Sequence, residues 1–151
     1  MIIEIKIPNL PQFMSALAKA PTIVTKHINS AINKSIYEVK GRAQSVTPVG
    51  ETGRLKDNWR TNFRDFFGEL QPMQPYAYWV ETGTDPHYIV PRTKRALFWP
   101  GAEHPVWSVK HPGTKAQPFL QTGVSSSMPV IKSIFDRALN DSLEEIAHLA
   151  K

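Results

Sequence analysis

The sequence contains no cysteine. Disulfide frameworks and thiolate metal sites are therefore excluded, and the chain suits a reducing compartment without requiring one. No apolar run approaches the roughly 18–20 residues that a membrane-spanning helix needs, and no membrane partner is expected. The opening MIIEIKIPNL alternates apolar and charged residues, a pattern unlike a secretory leader. Glycine-rich phosphate loops are missing too: GRAQS and GETGRLK lack both the spacing and the Lys-Ser/Thr ending. HExxH, GxSxG and EF-hand patterns do not occur. With no such constellation, neither catalysis nor a cofactor is expected.

What is present fits one domain. The chain has 151 residues, of which 41% are hydrophobic. A chain of this size buries about 70% of its unfolded surface when it folds. Eighteen Lys and Arg against 13 Asp and Glu leave a net charge of +5, with a pI near 9.6. That balance permits an anionic partner, nucleic acid included, although no dense basic block appears and a solvated basic surface is the plainer reading. Nine of the 13 prolines lie in the stretch from Pro48 to Pro118. Proline lacks a backbone donor and interrupts ladders, so the middle of the chain is expected to hold short strands broken by stiff loops.

Periodicity divides the chain further. Alternation at 2–7 predicts a strand, followed by a short helix carrying Leu10, Phe13, Met14 and Leu17, together filling residues 1–21. Pro21 separates these from a long helix at 22–46, about 37 Å at the usual rise. Its stripe runs Val24, Ile28, Ile32, Ile36, Val39, Ala43 and Val46, with Thr22 as N-cap. Residues 47–123 read as strands and loops: strand-like composition at 59–71, a strand or helical turn at 76–81, a hairpin of 87–90 with 96–99 around PRTKR, and a further strand at 106–110. Ser127 and Pro129 open a last helix over 127–150, striped by Ile131, Ile134, Phe135, Ala138, Leu139, Leu143, Ile146 and Leu149. The expected class is α+β, with a long helix in the N-terminal half and a C-terminal helix covering a broken antiparallel sheet.

Individual residues offer little chemistry. His87, His104 and His111 each neighbour a proline in the middle region and match no zinc spacing; hydrogen bonding to loop backbone accounts for them. Ser125, Ser126 and Ser127 suit helix capping. Tyr76, Tyr78, Trp79, Tyr88, Phe98, Trp99 and Trp107 form an aromatic-rich stretch. Part of it is expected in the core, with Trp79 or Val80 well buried, and part at an interface, where Tyr and Trp combine contact area with a polar handle.

Three segments carry a resemblance. The first is Thr47-Pro48-Val49-Gly50-Glu51-Thr52-Gly53-Arg54-Leu55-Lys56, the second Tyr78-Trp79-Val80-Glu81-Thr82-Gly83-Thr84. The third is His111-Pro112-Gly113-Thr114-Lys115-Ala116-Gln117-Pro118-Phe119-Leu120. Read together, over about residues 20–148, they resemble the neck or tail-completion proteins of tailed bacteriophages and prophages, often described as minor tail proteins. Gly50 adds a residue to the family's usual first motif. Gln121-Thr122-Gly123 stands where Arg-Pro-Ala is common.

The resemblance implies a structural virion protein of the head–tail junction, made in the host cytoplasm, that assembles with itself into a ring. It implies head-completion or connector proteins and tail-terminator or tail-tube proteins as neighbours, with genomic DNA passing through the lumen. On this reading His111, Pro112, Gly113, Thr114, Lys115, Gln117 and Pro118 form a stiff arm ending in an apolar anchor, Phe119 and Leu120, that docks on a neighbour. Thr52, Gly53 and Arg54 form a second contact loop. Arg92, Lys94 and Arg95 face the DNA channel or a partner. That these loops fold back on their own domain is the plain alternative. A basic nucleic-acid-binding module is the alternative function.

Overall fold

The computed structural model describes residues 8–151. In chain order it holds α1 (Leu10–Val46), α2 (Arg54–Asp57), β1 (Trp59–Arg64), β2 (Phe67–Pro72), α3 (Ala77–Thr82), β3 (His87–Ile89), β4 (Val109–His111) and α4 (Phe119–Leu149). The fold is α+β: two long helices with two separate two-stranded antiparallel sheets, β1–β2 and β3–β4. The strand expected at 2–7 lies outside the described residues.

Proline does not end the helices where the sequence suggested. Pro21 sits inside α1 and Pro129 inside α4. An interior proline removes one backbone hydrogen bond and costs about 3 kcal/mol. Both prolines occupy the exposed side of their helices, where those bonds are longest and their loss is easiest to absorb. Ala16 and Ile23, on either side of Pro21, are both buried, so the packed face runs on uninterrupted. The expected short helix and long helix are therefore one element, and Thr22 is not its cap. Likewise α4 begins at Phe119, eight residues before the expected start, and Ser127 is no cap. It lies fully buried in mid-helix, its Oγ donating to the Gly123 carbonyl at 2.7 Å.

The long helices run antiparallel. Ala43 of α1 meets Gly123 of α4 at one end, and Lys26 and His27 meet Glu145 at the other. The seam between them is made of small side chains. On α4 the buried positions past the first turn are Gly123, Ser127, Ala138 and Ser142, while α1 contributes Ala31, Ser35 and Ala43 beside Ile23 and Val39. Small residues let two backbones approach closely: a Cβ on Gly123 would lie 2.8 Å from the Ala43 backbone. The larger apolar residues of α4 point elsewhere. Val124, Met128, Leu139 and Leu143 each follow a buried small residue by one position, and all four are exposed.

The stripe expected on α1 is rotated. Ile32 and Ile36 are only half-buried and receive the β1–β2 hairpin instead, with Gly68 of β2 seated against both side chains. Val46 is exposed. The hairpin pairs Trp59 with Pro72 through to Arg64 with Phe67. Its turn places Phe66 at φ 57°, a left-handed conformation that a bulky residue rarely adopts. Asn29 of α1 holds that turn, accepting from the Phe66 N–H at 2.8 Å and donating to Asp65 at 3.0 Å.

Candidate interaction surface

The three signature segments converge on one place. Thr47 Oγ1 donates to the Ala43 carbonyl at 2.7 Å as α1 ends. The chain turns through Gly53, at φ 62°, whose N–H donates to Gly50 O at 3.1 Å. That turn starts α2 and drives Leu55 inward. Lys56 O then accepts from the Trp59 indole at 2.8 Å and from Gln44 at 2.6 Å. Leu55, Trp59, Ala43, Ala77 and Phe119 form the buried cluster, with Val80, Leu70 and Leu120 packed against it. Trp59 and Phe119 meet edge to face, ring centroids 5.9 Å apart.

The second and third segments are stitched to one another. The Glu81 carboxylate accepts from the N–H of Leu120 and of Gln121, both at 2.9 Å. These are two of the donors that the first turn of α4 cannot satisfy internally, and the negative charge also suits the positive end of the helix dipole. Gln117 N–H donates to Val80 O at 2.9 Å, and Thr84 and Thr114 exchange backbone bonds at 2.9 and 3.0 Å. Gly83 (φ 74°) and Gly113 (φ 88°) stand where these strands touch. A Cβ on Gly83 would meet Thr114 O at 2.6 Å, and one on Gly113 would collide with Thr84 O.

This geometry corrects the expected anchor. Phe119 is 2% exposed in its own core, and Leu120 is half-buried beside it. The apolar tip is thus the first turn of α4, because its backbone donors have Glu81 to meet and its ring has Trp59 to pack on. Pro112, Thr114, Lys115, Gln117 and Pro118 remain exposed, while His111 and Gly113 are half-buried. Of the first loop, Thr52 and Arg54 are exposed and Gly53 is half-buried. The capping role of Glu81 went unnoticed in the sequence, since it lies 39 residues from the N–H it accepts.

The segment between the stitches is a projecting arm. β3 pairs with β4 in the register His87–His111, Tyr88–Lys110 and Ile89–Val109. The expected hairpin of 87–90 with 96–99 does not form. Leu97 instead bridges Val106, so the chain doubles back further out. No residue from 78 to 118 is buried. Trp79, expected inside, is 56% exposed, and Trp107 reaches 75%. Only Ala77 of the 76–84 stretch is buried, with Val80 half-buried. Arg92, Lys94 and Arg95 are exposed in the turn beyond β3, and among the described residues no carboxylate pairs with them.

The histidines of the arm hold the arm. His87 and His111 stack across the strands with centroids 5.0 Å apart. His87 Nδ1 lies 2.9 Å from Asp85 O, and His111 Nδ1 accepts from the Gly113 N–H at 3.1 Å. Among the described residues no group of three or more His, Asp or Glu is placed to hold a metal ion. Among the described residues no helix is long and apolar enough to cross a membrane.

Helices α1 and α4 thus meet along small side chains, the signature segments build the core, and an aromatic-rich arm stays exposed. Residues 11–83 match the HK97-gp10-like family, described as "Bacteriophage HK97-gp10, putative tail-component". The match covers just under half of the chain, from α1 through α3, and takes in the first signature segment and all but the last residue of the second. Curated proteins and solved structures give no significant match.

Proposed function

We propose that the chain is a structural subunit of a phage virion, acting at the head–tail junction as part of a homo-oligomeric ring. The observation that carries this reading is the arm. A stretch holding Tyr78, Trp79, Tyr88, Phe98, Trp99 and Trp107 contains no buried residue. Soluble monomers rarely leave so many large aromatic side chains of one segment in water, and exposed apolar surface of this size marks interfaces. The total surface points the same way. The chain exposes 11563 Å², about half again the roughly 7,700 Å² expected of a compact 17.0 kDa monomer. The likeness to a phage tail component supplies the setting.

On this reading the protein has no catalytic role. Its neighbours are copies of itself, a head-completion or connector protein and a tail-terminator or tail-tube protein. Thr52, Arg54 and the exposed residues of 111–118 are further contact points, and Arg92, Lys94 and Arg95 face a partner or the DNA in the lumen. The test is removal of the chain from a phage or inducible prophage that encodes it. Heads and tails should accumulate unjoined, and complementation in trans should restore virions. Full particles of normal infectivity would overturn the reading. Binding of DNA by the isolated monomer, with a steep salt dependence, would favour the nucleic-acid module instead.

A further inference from the structure

We infer that His111 is an acid-sensitive catch at the root of the arm: neutral, it fastens the turn through Gly113; protonated, it lets that turn go. The inference goes beyond the virion reading and does not depend on it. Its basis is the side of each ring that holds a hydrogen. A backbone N–H can only donate, so His111 Nδ1, 3.1 Å from the Gly113 nitrogen, holds a lone pair and the neutral ring carries its hydrogen on Nε2. No other acceptor meets the Gly113 N–H among the described residues. His87 is the reverse case. A backbone carbonyl can only accept, so His87 Nδ1, 2.9 Å from Asp85 O, carries the hydrogen and leaves the lone pair on Nε2.

Acid therefore acts unequally on the two rings. A proton added to His87 goes to Nε2 and costs no bond. A proton added to His111 has only Nδ1 to go to, where it meets the Gly113 N–H. The acceptor becomes a donor and the bond is lost. The rings stack with centroids 5.0 Å apart, so two charged imidazoles also repel each other. The bond is present at neutral pH and disappears as pH falls.

The place of the bond gives it leverage. Gly113 turns the chain at φ 88°, and the next residue, Thr114, makes the backbone bridge to Thr84 that joins arm to body. β3 and β4 pair over three residues only, so little else secures this end. Of the ionisable groups around the pair, Asp85 before β3 and Tyr78 of α3 share the hollow that His87 and His111 line. Glu81 of α3 is turned to the first turn of α4. Lys110 pairs with Tyr88, one position along the register, and so lies on the opposite face of the ribbon. Lys115 stands outside the hollow. The charge on Asp85 attracts an imidazolium, and among the described residues no acceptor is placed to take over the Gly113 N–H. Acid thereby frees the arm and leaves the helix pair intact.

The test is an NMR titration of the full-length, nitrogen-15-labelled protein from about pH 8 to about pH 5, the range in which imidazoles change charge. At the upper end the ring-nitrogen signals should show His111 with its hydrogen on Nε2. As His111 charges, protection of the Gly113 amide, corrected for the intrinsic pH dependence of exchange, should fall about tenfold. The amides of Lys110 and Thr114 should follow, while those of Ala43 and Ser127 in the helix seam hold. His111→Asn offers Gly113 an oxygen that does not titrate, and its arm should stay fastened across the range. His111→Ala should be loose throughout. A His111 hydrogen on Nδ1 at pH 8 would overturn the inference. So would a Gly113 amide that ignores the titration of His111, or a His111→Asn arm that loosens in acid as the parent does. Should His111→Asn be loose already at pH 8, the parent's titration alone decides.

Discussion

The helical body and the arm contain the same kinds of residue and treat them oppositely. In the body, Trp59 and Phe119 are shut into a cluster that takes side chains from five segments of the chain. In the arm, Trp99 and Trp107 are held out in solvent by a ribbon whose two strands pair over three residues. A two-stranded ribbon alone is marginal in water, so the arm's order depends on its stitches at Thr84–Thr114 and Val80–Gln117 and on whatever covers its rings. Aromatic content alone did not distinguish the regions. What separates them is whether a second element lies within reach.

The widest separation should come from removing one aromatic in each. Phe119→Ala is expected to cost about 3–5 kcal/mol, read as a lowered denaturant midpoint. Trp107→Ala should stay within about 0.5 kcal/mol of the parent chain while particle yield falls. Equal losses in the two variants would erase the distinction. Glu81→Ala attacks the boundary between the regions. Loss of its two hydrogen bonds to α4 should cost roughly 1–2 kcal/mol, and amide exchange at Gln117 and Leu120 should quicken with it. A change in exchange confined to the arm's far end, around Trp99, would place the fastening elsewhere.

Ser35 sharpens the description of the body. Among the described residues its buried Oγ has no hydrogen-bond partner, whereas Ser127 and Ser142 donate to carbonyls one turn back. Ser35→Ala should therefore stabilise the helix pair by about 1 kcal/mol, and Ser142→Ala should not; thermal melts of both variants compare them directly. The smallest effect concerns Glu145. The hydrogen bond with His27, joined by that from Lys26, holds its carboxyl below the ordinary value of 4.5. A depressed carboxylate adds stability above its unfolded pKa and loses it as pH falls through the folded one. Glu145→Gln should thus lower the melting temperature slightly at pH 6–7 and converge on the parent as pH falls through that depressed pKa. A difference that grew on acidification would reverse the assignment.

Much of the frame was legible from periodicity. The long helix preceding the first signature, the last helix and the α+β class follow from spacing and composition. The strand composition at 59–71 became a hairpin, and 76–81 became α3. The helix ends were not legible, because Pro21 reads as a stop and Pro129 as a first-turn start, and only the packing of α1 on α4 overrides both. The rotated stripe on α1 was equally hidden. Ile32 and Ile36 look like core residues until the hairpin claims them, and Ser35 and Ala31 look like surface residues until α4 arrives. Phe119 was misassigned for a related reason. A Pro-Phe-Leu tip after the polar loop His111–Gln117 reads as a free arm unless the distant carboxylate of Glu81 is known to receive it. The exposed cations at Arg92, Lys94 and Arg95 stood where a proline-bounded turn places them.

The crossing of Gly123 over Ala43 has a mechanical consequence. With the backbone of α1 at contact distance, neither helix can slide or roll past the other without first parting. The pair behaves as a stiff beam whose register is fixed by shape. Compliance is left to the two glycine junctions at Gly83 and Gly113, where the arm leaves the body. A load passed from one subunit to the next would bend those joints and spare the beam.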